Sequence, residues 1–156
     1  MAHAILSSYG SYGGEVAFGC TVEERPLKVR PEGVARFRLL IVDDEVRLAR
    51  SLAALLSSHE VLVASSVEEA LAQLEKRSFD CILCDLMMPS LSGMDLHAEL
   101  ARRGRGDERR MIFMTGGAFT PRAREFVASV PNHVLEKPFS ADSVETLVAS
   151  LIAGDP

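Results

Sequence analysis

Four polar stations, the first three placed straight after a short apolar run, hold the residues of this chain that are equipped for chemistry. They are Asp43-Asp44-Glu45 after Leu39-Leu40-Ile41-Val42, Asp85 after Cys81-Ile82-Leu83-Cys84, Thr115 after Met111-Ile112-Phe113-Met114, and Lys137-Pro138 after His133-Val134-Leu135-Glu136. Brought together, the carboxylates of Asp43, Asp44 and Asp85 would repel one another, and at least one would hold its proton more tightly unless a cation joined them. An all-oxygen site suits magnesium, which is commonly held by one or two carboxylates, waters and phosphate oxygens. Lys137 adds a mobile positive charge and Thr115 a hydroxyl, and both suit the oxygens of a phosphoryl group in transfer. Asp85 stands alone after its run and is the expected nucleophile, because a carboxylate can carry a phosphoryl group as an aspartyl phosphate. Asp43 and Asp44 are adjacent and better placed to hold metal together. Any one station is weak: a single Asp after a strand is more often a helix cap or a surface residue. The ordered set of four carries the reading.

For those stations to meet, their apolar runs must lie side by side. Runs of this length read as buried parallel strands, and an open sheet of such strands gathers its ligands at their carboxyl ends. From about residue 37 to 153 strand-like and helix-like stretches alternate in five pairs, which predicts an α/β fold: a doubly wound five-stranded parallel sheet with helices on both faces. The predicted helices carry Leu48, Leu52, Leu55 and Leu56 in the first and Val67, Ala70, Leu71 and Leu74 in the second. Ser66 with Glu69 reads as a capping box. Strands are expected at Glu60 to Ala64 and Phe79 to Cys84. Leu96 and Leu100 mark a third helix after the Pro89 to Gly93 loop. Thr120 and Pro121 open a fourth, with Ala123, Phe126, Val127 and Val130 facing the core and Pro131 stopping it. Ser140 opens the last, which carries Val144, Leu147, Val148 and Leu151.

Composition narrows the functional classes. The chain has 156 residues, 47% hydrophobic and 25% charged, ordinary values for a soluble domain. No stretch approaches the roughly 18 apolar residues of a membrane helix, and no secretory leader is visible, so a cytoplasmic location without membrane insertion is expected. A net charge of -5 argues against direct nucleic-acid binding, and the basic cluster Arg102-Arg103-Gly104-Arg105 with Arg109-Arg110 falls on an expected helix-to-strand loop. Cys20, Cys81 and Cys84 are odd in number and unlike a disulfide framework. Cys81 and Cys84 have CxxC spacing, but three residues apart on a strand they point to opposite faces and read as small core residues. Residues 1 to 36 stand outside the alternation as an extension or linker, partly ordered at best, rich in turn formers from Ser7 to Gly14 with Pro26 and Pro31 beyond. Their run from His3 to Val16 resembles the final segment of a histidine-kinase ATP-binding lobe. It has none of the nucleotide-binding glycine boxes, and no ATPase follows from it.

The motifs Leu40-Ile41-Val42-Asp43-Asp44-Glu45, Cys84-Asp85-Leu86-Met87-Met88-Pro89, Met114-Thr115-Gly116 and Glu136-Lys137-Pro138-Phe139 resemble those of the receiver domain of two-component response regulators, over about residues 37 to 153. The resemblance implies a flavodoxin-like fold and phosphorylation at Asp85. It implies direct magnesium binding by Asp44, help from Asp43 through water, and a further ligand in the backbone carbonyl of Met87. It also implies contact of Thr115 and Lys137 with the phosphoryl oxygens, and a cis Lys137-Pro138 bond. The donor would be a phosphohistidine on a histidine kinase or histidine phosphotransfer protein, with transfer catalysed by the receiver itself. The family's inward-turning aromatic residue, three before the lysine, is replaced here by Val134. His133 cannot take its place, because adjacent strand residues face opposite ways.

The pattern around Val134 to Ser140, with the kinase-like remnant, is similar to receivers appended to hybrid histidine kinases, which would make the domain a relay station in a phosphorelay. The competing expectation is a stand-alone regulator acting through its surface, because the chain ends at Pro156 just after the last helix. Two other classes fit the residues less well. A pseudo-receiver that binds partners without phosphorylation would have lost an acidic or lysine station, and all are present. A phosphatase of the dehalogenase type wants an Asp two residues beyond the nucleophile, where Met87 stands.

Overall fold

Hydrophobic strands that are buried on both sides need a helical layer over each face, and the alternation in this chain supplies both. A computed structural model describes residues 36–117 and 120–154. The strands are β1 (Arg38–Val42), β2 (Glu60–Ala64), β3 (Cys81–Asp85), β4 (Met111–Thr115) and β5 (Val134–Glu136). The helices are α1 (Val46–Leu55), α2 (Val67–Lys76), α3 (Gly93–Arg103), α4 (Pro121–Ser129) and α5 (Ala141–Ala153), with a short 3-10 turn at Asp107–Arg110 ahead of β4. The strands form one parallel sheet in the order β2-β1-β3-β4-β5, and every residue of β3 and β4 is buried. The expected five-stranded doubly wound fold is therefore the observed one. The expected extension lies outside the described residues for positions 1 to 35, and so does Cys20.

Two hydrophobic clusters sandwich the sheet. Leu40, Val42, Ile82, Cys84 and Phe113 point to the side covered by α2, α3 and α4, whereas Leu39, Ile41, Cys81, Leu83, Ile112 and Met114 point to the side covered by α1 and α5. Cys81 and Cys84 thus pack on opposite faces as the strand period requires, and burial pushes both thiols far up from their ordinary value. β1 leads into α1 on one face and β3 into α3 on the other. Neighbouring strands whose connections diverge leave a crevice at their carboxyl ends.

Some local expectations are corrected. Leu55 is 57% exposed, and Ala49 takes its place in the core with Leu52 and Leu56, because the stripe of α1 follows positions 49, 52 and 56. Only half of the Ser66-Glu69 capping box forms: the Ser66 hydroxyl accepts from the Glu69 N–H at 3.2 Å, but the Glu69 carboxylate accepts from the N–H and hydroxyl of Ser65 instead. The full box occurs at Ser92 and Asp95, opening α3. Thr120 and Ser140 cap α4 and α5 as expected. β3 begins at Cys81, two residues later than the pattern suggests, with Phe79 buried before it.

Candidate functional site

The carboxyl ends of β1, β3, β4 and β5 bring the four stations together. Asp43 follows β1 and is 1% exposed; its Oδ1 accepts the Glu45 N–H at 2.8 Å, which turns the chain into α1. Asp44 beside it is exposed. Asp85 ends β3 and Thr115 ends β4, with exposures of 7% and 2%. Lys137 follows β5, and its backbone N–H donates to the Thr115 carbonyl at 2.6 Å, which extends the sheet by one rung. Its ammonium reaches back over the crevice, donating to Asp85 Oδ1 at 2.9 Å and to Asp43 Oδ2 at 3.0 Å. The Lys137-Pro138 peptide is cis.

Opposing influences act on the charges of this site. Burial raises the Asp85 pKa, the Lys137 hydrogen bond and charge work to lower it, and the Asp43 charge raises it again. Burial of the Lys137 ammonium works to lower its pKa, but its hydrogen bonds and charge pairing with Asp85 and Asp43 together outweigh that and raise it. Oxygen atoms of Asp43, Asp44 and Asp85 lie within 4.8 Å of one another, the one such acidic group among the described residues. One ammonium faces three carboxylates, so the cluster keeps an excess of negative charge on hard oxygen donors. That donor set fits a divalent cation such as magnesium.

Backbone constraints hold the Asp85 end of the site. The Leu86 N–H donates to the Met114 carbonyl at 2.9 Å, tying the turn after Asp85 to β4. Met87 is 45% exposed at the mouth of the crevice, and its backbone N–H helps to lower the Asp85 pKa. Gly117, two residues after Thr115, has a left-handed φ of 83°, and a Cβ there would meet Glu136 Oε1 at 3.4 Å.

Comparison with known proteins decides the family. The family model for the response regulator receiver domain matches residues 39–149. The chain belongs to that family. Among curated relatives, the transcriptional regulatory protein SrrA of Staphylococcus aureus is 32% identical over 117 residues, covering 73% of this chain and 47% of the relative. The chain thus spans about half the length of the relatives it matches. Among solved structures, the receiver domain of the Francisella response regulator 1452 superposes with a TM-score of 0.66 at 25% identity, covering 78% of this chain and 100% of that one. A response regulator receiver domain from Clostridium thermocellum gives a TM-score of 0.66 at 28% identity, covering 75% of this chain and 94% of that one.

Beyond the stations, some packing around the site involves residues that motif reading did not assign a role. Gly93, read only as punctuation before α3, packs against the Asp85 carbonyl. His97 packs against Phe113 of β4, and Asn132 donates to the Met111 carbonyl at the start of the same strand. His97 lies four residues after Gly93 and three before Leu100, on the buried stripe of α3, and that spacing was a usable signal. The basic cluster proves to be internally paired: Arg102 and Arg103 with Glu99, Arg105 and Arg110 with Asp107, and Arg109 with Glu108. No helix of the described residues is long and apolar enough to cross a membrane.

Proposed function

We propose that this receiver takes a phosphoryl group from a phosphohistidine onto Asp85, with magnesium, and signals through the surface that the modified site reshapes. The observation that carries the reading is the Lys137 ammonium 2.9 Å from Asp85 Oδ1, at the rim of a three-carboxylate cluster. A carboxylate oxygen of Asp85 attacks the phosphorus, a P–O bond forms as the P–N bond breaks, and the electron pair leaves with the donor's imidazole. Asp43, Asp44, Asp85 and the Met87 carbonyl would hold magnesium, which supplies charge neutralisation for the transferring phosphoryl oxygens. Lys137 exchanges its contact with Asp85 for one with those oxygens, and the Thr115 hydroxyl donates to another. Asp43 keeps the ammonium in reach throughout.

The partners that fit this chemistry are a histidine kinase or a histidine phosphotransfer protein in the same cytoplasmic compartment. Direct contact with nucleic acid is not part of this reading, since the arginines of the cluster from Arg102 to Arg110 are matched by acidic side chains. Intact mass after incubation with acetyl phosphate and magnesium tests the reading. A single phosphoryl addition in the parent chain, absent in Asp85→Asn, supports it. No addition from acetyl phosphate or from a phosphohistidine donor would leave a scaffold that binds partners without phosphorylation. Fast, reversible exchange with a separate phosphotransfer protein would support the relay of a hybrid kinase over a stand-alone regulator.

A further inference from the structure

The first peptide after β3, which joins Asp85 to Leu86, is held at both of its polar groups. Its N–H, on Leu86, donates to the Met114 carbonyl of β4 at 2.9 Å. Its carbonyl, on Asp85, accepts from the Cys84 thiol at 3.3 Å. The pairing of β1 with β3 ends at Val42 and Cys84, so that ladder stops one residue short of this carbonyl, and the side chain next to it supplies the donor. Cys84 is fully buried on the face of the sheet that α3 covers, and burial disfavours a thiolate, so its Sγ keeps a proton to donate. Gly93 at the start of α3 closes over the pair, with no room for a Cβ beside the carbonyl or the sulfur. Two groups of the site hang on the peptide held in this way. The Asp85 carboxylate springs from the Cα at one end. Met87 follows the other end, its backbone N–H hydrogen-bonded to the Asp85 carboxylate. Planarity of the peptide links the two, because fixing the carbonyl fixes the direction in which the chain leaves toward Met87.

We propose that Cys84 is a positioning residue for magnesium: its thiol, by holding the Asp85 carbonyl, sets the Met87 carbonyl in place beside the Asp85 carboxylate. This rests on the magnesium-assisted phosphoacceptor function proposed above, which gives the Met87 carbonyl to the metal. Groups that never touch a metal govern its affinity when they fix the direction of the atoms that do. A buried carbonyl that loses its donor carries an unmet hydrogen bond. Rotation of the Asp85-Leu86 peptide relieves that strain and takes Met87 out of its place. The CxxC spacing is thus incidental, since Cys84 acts through its neighbour's carbonyl and Cys81 packs on the opposite face.

Calorimetric titration of the full chain with magnesium chloride tests this, beside urea unfolding without metal and intact mass after acetyl phosphate. Cys84→Ala has no donor and is expected to bind magnesium about tenfold more weakly than the parent, the lower end for groups that orient a metal ligand. Cys84→Ser keeps a donor and should bind magnesium as the parent does, even where its buried hydroxyl lowers the urea midpoint. Should Cys84→Ala fail to fold, Cys84→Val removes the donor while filling the space, and the same loss is expected. A thiol that serves only to pack would give the other pattern, with magnesium affinity following stability from variant to variant. Unchanged affinity in Cys84→Ala and Cys84→Val, equal losses in Cys84→Ala and Cys84→Ser, or a parent chain that binds no magnesium overturns the proposal. A parent that binds magnesium but takes no phosphoryl group from acetyl phosphate or a phosphohistidine donor removes the proposed function instead, and the titrations still decide the role of Cys84.

Discussion

The carbonyl oxygen of Asp85 lies 2.6 Å from the point at which a Cβ on Gly93 would sit. The first residue of α3 is therefore pressed against the backbone of the candidate phosphoacceptor, with Cys84 Sγ at 3.1 Å and the Leu86 Cα at 3.3 Å closing the remaining space. The Ser92-Asp95 capping box seats the start of the helix there. Glycine is needed at this point for close approach rather than for its dihedral range.

Gly93→Ala must push α3 off the turn after Asp85, and backbone atoms yield less readily than a flexible side chain. The expected loss is about 1–3 kcal/mol, typical of overpacking, read by urea unfolding. Phosphorylation from acetyl phosphate should slow as well. An unchanged midpoint would mean that the helix start moves freely.

Lys137→Ala removes the counter-charge from Asp43 and Asp85, both almost wholly buried. Leaving buried charge unpaired costs about 3–5 kcal/mol, and the partial exposure of the ammonium puts this site at the lower end. Magnesium should restore much of the loss, so the variant's melting temperature is expected to rise more with magnesium than the parent's. Equal rises in both would show that the ammonium does not offset the carboxylates.

Neither Met87, two residues after Asp85, nor Gly117, two after Thr115, offers a side-chain group that orients an attacking water. The phosphoryl group on Asp85 should persist for minutes or longer with magnesium present, as followed by mass after donor removal. Met87→Asn is expected to shorten its life. Decay of the parent within seconds would contradict this.

Hydrogen bonds from the Ser92 hydroxyl and N–H hold the Asp95 pKa below its ordinary value, with burial opposing and the Arg122 charge adding a smaller pull. A carboxyl with a depressed folded pKa stabilises the fold above its unfolded value, near 4, and loses that contribution as pH falls through the folded one. The parent should therefore melt above Asp95→Asn at neutral pH, with the gap closing below about pH 4. A gap that is constant down to acid pH would assign the effect to shape rather than charge.

The apolar runs ahead of Asp43, Asp85 and Thr115 made the strands legible, because a parallel strand buried on both faces is written as continuous hydrophobic sequence. The same adjacency marked the site, since residues that follow such strands must gather at one edge of the sheet. Leu55 departs from the expectation because Leu48, Leu52, Leu55 and Leu56, in α1 and at its C-terminal end, satisfy helical spacing about equally well, and only the position of the sheet decides which of them is covered.

Sequence alone thus determined the fold class, the order of the stations and the family, all of which depend on local pattern and residue type. Tertiary structure decided the rest: that Lys137 bridges Asp43 and Asp85, that Gly93 abuts the Asp85 carbonyl, and that His97 and Asn132 join the rings of Phe113 and Phe126. These contacts join residues far apart in the chain or depend on how closely one backbone approaches another. Such distances are set by the packing of helices on the sheet and leave no periodic trace in the order of amino acids.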